Sequence, residues 1–137
     1  MSVHWALYVG GAGTTAIGLL HITYPWLFKW TRDFPKLPRL QVKLLYTLHV
    51  ALLLAILFFG VVTIVYAEEL LEPGLGRTLL AFITALWAWR LVWQLTYWRF
   101  TPEEKARPKI MRMHWAFTGA FVVILAAYAW ALVQSLR

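Results

Sequence analysis

LLYTLHVALLLAILFFGVVTIVYA, residues 44–67, runs for 24 positions without a charged side chain. A core helix of a soluble domain has an apolar run of about 10 to 14 residues, whereas crossing a hydrocarbon layer about 30 Å thick takes about 20 in helical form. Three further runs match it in length: residues 5–28, residues 78–98 with Arg90 as the one charge, and residues 113–136. Lipid offers the backbone no hydrogen-bond partner, so a span of this kind closes its own ladder as a helix. The sequence therefore predicts one domain over residues 1–137, an all-α integral membrane protein with four transmembrane helices in an up-and-down bundle.

Composition agrees, since 61% of the chain is hydrophobic and only 14% is charged. The first run is read as a retained span. It lacks a basic start, is too long for a signal h-region and is followed by a basic loop. There is no cysteine, which removes disulfides, thiolate metal sites and thiol chemistry.

Lysine and arginine outnumber acids by 13 to 6, yet their placement argues against nucleic acid. Lys29, Arg32, Lys36, Arg39 and Lys43 lie between the first two spans, and Arg99, Lys105, Arg107, Lys109 and Arg112 between the last two. Glu68, Glu69 and Glu72 occupy the intervening loop. This is the positive-inside pattern, with basic loops in the cytoplasm and both termini outside, as in a bacterial inner (plasma) membrane. The basic loops are expected to meet membrane lipids. Gly10, Thr14 and Gly18 recur every fourth residue, as small residues do where two membrane helices approach closely.

Polar residues within spans carry the functional expectation, because they face the interior or a cavity. Counted from the nearest basic loop at about 1.5 Å per residue, His21 lies roughly 12 Å in, His49 roughly 9, Arg90 roughly 13, Gln94 roughly 8 and His114 roughly 3. Four helices thus contribute polar groups to one half of the layer. Helical spacing adds Tyr46 to the face of His49, and Tyr97 to that of Arg90 and Gln94. His114 is close enough to the boundary to be interfacial. Pro25 has no N–H to give the carbonyl of His21. Arg90 is too deep to snorkel, and the spans hold no carboxylate; its partner is a carbonyl, a neutral side chain, a bound anion or an acid from another subunit.

Three kinds of ligand suit this set. A tetrapyrrole, as haem b between axial His21 and His49 or as a chlorophyll on one imidazole, is one. A quinone, hydrogen-bonded by His, Arg, Gln and Tyr, is another, and a lipid-like anion a third. A zinc or copper site built on histidines ranks lower, because no acidic cluster completes a shell. The chain is expected to be a small subunit of a redox or pigment complex. The alternatives are a structural accessory subunit packed against larger membrane partners or copies of itself, and a protein or enzyme acting on an anionic lipid-like substrate. Whether it is an enzyme stays open, and no catalytic residue is assigned.

Overall fold

The structure, a computed structural model describing residues 2–137, is helical throughout, with no strand among the described residues. In chain order the helices are α1 (Val3–Leu27), α2 (Trp30–Asp33), α3 (Arg39–Val65), α4 (Leu75–Thr96), α5 (Pro102–Lys105) and α6 (Pro108–Ser135). Short 3₁₀ turns at Phe34–Lys36 and Glu69–Leu71 complete the connections. The four long helices, α1, α3, α4 and α6, are each long and apolar enough to cross a membrane.

Their ends differ from the apolar runs. Helix α3 starts at Arg39 rather than residue 44, α6 at Pro108 rather than 113, and α4 stops at Thr96 rather than 98. Hydropathy marks where apolar surroundings suit the side chains, whereas a helix starts where the backbone can turn. Pro38 caps α3 and Pro108 opens α6, where a fixed φ and a missing N–H cost nothing.

Helix α1 is the hub, packed along one side by α3 and along the other by α6, while α4 packs on α6. Contacts such as Gly11 with Gly60, Gly10 with Tyr128 and Trp87 with Phe121 run in opposite chain directions, so successive long helices are antiparallel. The fourth seam is nearly open: α3 and α4 make almost no close backbone approach. Their aromatic contact, Phe59 on Phe82 with ring centres 5.9 Å apart, lies toward the acidic loop. Among the described residues no aromatic pair joins α3 and α4 in the opposite half, toward the basic loops.

The small-residue stripe on α1 is buried as expected, and α3 supplies a counterpart that the stripe did not indicate. A Cβ on Gly18 would stand 2.7 Å from Leu57 Cδ2, and one on Gly60 would stand 2.7 Å from the backbone nitrogen of Thr15. A side-chain end can move aside; backbone cannot.

Three hydroxyls then lock the hub. Thr63 Oγ1 spends its proton on the Phe59 carbonyl at 2.7 Å, so it accepts from Tyr128 Oη at 3.1 Å. The Tyr128 oxygen is left to accept from Thr14 Oγ1, also at 3.1 Å. The directed chain Thr14 to Tyr128 to Thr63 joins α1, α6 and α3, with all three residues buried.

Helix α3 has the most apolar sequence of the four, yet only 11% of its most apolar window is buried in the protein, against 44% for α1. Gly60→Val should destabilise by about 1 to 3 kcal/mol through overpacking against backbone. Tyr128→Phe should cost about 1 kcal/mol by breaking the hydroxyl chain. Unfolding midpoints in mild detergent measure both, and an unchanged midpoint for Gly60→Val would mean that α1 and α3 do not meet there.

Candidate functional site

The polar residues expected at one depth fall into two groups with Arg90 between them. On the α1–α3 side, His21 is buried and its ring centre lies 6.0 Å from that of His49. Tyr24, one turn on from His21, stacks on it at 4.2 Å and lies 6.1 Å from His49. Trp30 closes the group edge-on to His49 at 4.8 Å. It reaches back because Lys29 adopts a left-handed backbone (φ 52°), which turns α2 over the end of α3. Tyr46 shares the face of His49 but meets Trp30 and Phe34 instead of the imidazoles. Its other neighbours, Arg39, Val42 and Lys43, line with it an open groove of about 550 Å³ at the basic end.

On the α4–α6 side, Gln94 is buried and its Nε2 donates to His114 Nδ1 at 2.9 Å. The His114 carbonyl accepts from Thr118. His114 therefore serves as a partner for Gln94 across the α4–α6 seam. Tyr97 stands apart. As the C-cap of α4 it keeps helical backbone, with its N–H on the Trp93 carbonyl, stacks on the Trp93 ring at 4.4 Å and is largely exposed.

The guanidinium carbon of Arg90 lies 4.5 Å from the centre of the Phe121 ring, a cation–π contact with a neutral side chain, one of the kinds of partner expected for it. Its Nη1 is enclosed and makes no hydrogen bond among the described residues. An aromatic face attracts the cation but gives the N–H no lone pair of comparable strength, so a strong donor is left unspent.

His21 is fixed more firmly. Its Nδ1 lies 2.8 Å from the Ile17 carbonyl, which can only accept, so Nδ1 carries the proton. Nε2 is left as the free ring nitrogen, the arrangement that also suits metal ligation. A macrocycle held between His21 and His49 has little room, however. Tyr24 lies beside the pair, 4.2 Å from His21 and 6.1 Å from His49, where a porphyrin held by the two imidazoles would spread. No group of three or more His, Asp or Glu side chains gathers among the described residues, so a histidine metal site would have only the pair His21 and His49.

Charge at the basic end is partly neutralised. Arg32 donates twice to Asp33, at 3.0 and 3.1 Å, and Lys36 once at 3.4 Å. The Arg32 hydrogen bond holds the Asp33 carboxyl below its ordinary value. This exposed cluster is thus formed at neutral pH and loosens as pH falls through that lowered value.

Comparison with family models, with curated proteins and with solved structures gives no match. Function has to be argued from the side chains themselves.

An enclosed donor without a partner is a stability cost that a ligand can remove. In ligand-free protein, Arg90→Met should leave the unfolding stability within about 1 kcal/mol of the wild type, because an unsatisfied buried polar group costs about 1 to 3 kcal/mol while a desolvated cation–π contact returns about 2. A clear fall in the midpoint would show that the guanidinium is satisfied by the fold itself.

Proposed function

We propose that the chain is a four-span integral membrane protein that holds a quinone-type amphiphile in the half next to its basic loops, as a small subunit of a membrane redox complex. The observation carrying this proposal is Arg90 Nη1, enclosed and without a hydrogen-bond partner among the described residues, on a guanidinium that rests on the Phe121 ring. A ligand oxygen would take that donor. The ring and tail would lie against the apolar walls of the nearly open α3–α4 seam, the mix of apolar lining and few polar groups usual in ligand sites.

Quinone is preferred to a bis-histidine haem because Tyr24 packs on His21 beside the imidazole pair, where a macrocycle would spread. The same donor would accept a lipid-like acid, which is the neighbouring alternative. An accessory role in a larger assembly is favoured by α3, whose apolar surface is so little covered by its own chain. In the proposed orientation the two basic loops face the cytoplasm and both termini lie outside, in a bacterial plasma membrane.

Because the natural chain has no cysteine, orientation is directly testable. On intact cells an impermeant maleimide should label Glu72→Cys and spare Lys36→Cys and Lys105→Cys; the reverse pattern would invert the topology. Ligand identity is read by organic extraction and mass spectrometry after mild purification. A quinone should be recovered from the wild type and at least about tenfold less from Arg90→Leu, the loss expected for one hydrogen bond to a charged group. Equal recovery would remove Arg90 from the site, and a Soret band in the purified protein would favour the tetrapyrrole.

A further inference from the structure

We infer that the open groove at the basic end is a binding site for one anionic phospholipid, with the lipid phosphate on Arg39 and Lys43 and its glycerol and upper chains against Trp30, Phe34 and Tyr46. The site is separate from Arg90 and does not depend on the quinone-type reading. It needs only that the four spans lie in a bilayer.

The groove arises because the chain folds back on itself. The left-handed backbone at Lys29 carries α2 and the turn after it over the start of α3, and the hollow between them measures about 550 Å³. Sites for small ligands measure about 300 to 1,000 Å³. One wall is aromatic: Trp30 stacks on Phe34 at 4.7 Å, and Tyr46 meets both rings edge-on at 5.5 and 5.3 Å. Arg39, Val42, Lys43 and Tyr46 line it from one face of α3, at the three- and four-residue spacing of a helix. Two cations and an apolar wall thus open into one cavity.

Both cations are exposed and uncommitted. Asp33, the one acid in this loop, is held by Arg32 and Lys36, and among the described residues neither Arg39 nor Lys43 has an ion pair. No acid lines the groove.

Depth decides the occupant. Lys43 is the last charge before the uncharged run of residues 44–67, so in a bilayer the two cations stand at headgroup level. Val50 and Leu54 follow Tyr46 at four-residue steps and are exposed, which gives an acyl chain an apolar track into the hydrocarbon. A soluble anion would use the cations and leave the aromatic wall and the track uncovered. A zwitterionic lipid would bring a cation of its own to a place that already holds two. An anionic phospholipid matches all three parts.

Native mass spectrometry of the detergent-purified protein, stripped of lipid and titrated with dioleoylphosphatidylglycerol, reads the site. One such lipid should bind at least about fivefold more tightly than dioleoylphosphatidylcholine, and Arg39→Gln and Lys43→Gln should each weaken it about fivefold, the scale of one basic side chain at an anionic membrane surface. Lys105→Gln combined with Lys109→Gln removes the same kind of charge from the other basic loop and should leave the affinity unchanged. On the wild type, a phosphatidylglycerol with a photoreactive diazirine in its headgroup should crosslink within residues 30–46, a readout that depends on no variant folding. Equal weakening in the other-loop variant, or crosslinks spread over both loops, would overturn the site in favour of diffuse attraction between charges. Equal affinity for phosphatidylcholine would overturn the role of the two cations, and displacement of the lipid by millimolar inorganic phosphate would make the occupant a free anion. Each of these outcomes leaves the Arg90 ligand to its own extraction test.

Discussion

The architecture depends on how closely α1 approaches its two neighbours. Gly18 on α1 and Gly60 on α3 let the helices meet where any side chain would strike the other. That proximity lets three hydroxyls from three helices find one another through Tyr128. In the proposed membrane setting the hydrophobic effect would do little to hold these helices together, and close packing with a few interhelical hydrogen bonds would do so instead. The glycines and the hydroxyl chain lie mainly in the half toward the acidic loop, so the hub is locked there.

The polar side chains lie in the other half, toward the basic loops. His21 follows Gly18 on the stripe that packs the hub, so its ring is carried to the edge of the locked half. Its hydrogen bond to Ile17 stays within α1, one turn back. The imidazole is therefore oriented by its own helix, whatever α3 and α4 do. Arg90 approaches from across the bundle with only the Phe121 face beneath it.

Much of this was legible in the sequence, and what was not has physical reasons. Charge-free runs specify helices and their number, and the spacing of Gly10, Thr14 and Gly18 marks the packed face of α1. The isolation of Arg90 from any acid was equally plain. Phe121 was not, because nothing distinguishes one phenylalanine in an apolar span until the partner helix is in register. Tyr97 keeps the helical geometry its spacing implied, but spacing does not say how far the neighbouring helices reach, and there its side chain is exposed. Trp30 joins the histidines only through the left-handed turn at Lys29, a conformation uncommon for a residue other than glycine or asparagine and therefore unmarked in the sequence. Tyr24 could have been found, being three positions after His21 and hence on its face.

The nearly open seam between α3 and α4 has a further consequence in the proposed membrane setting. A solute entering there would arrive sideways from the hydrocarbon without crossing water, so the reservoir feeding the site is the lipid phase. Amphiphiles accumulate in that phase far above their aqueous concentration. Loose binding would then suffice for high occupancy, and a site held by one guanidinium could fill and empty quickly as the composition of the membrane changed.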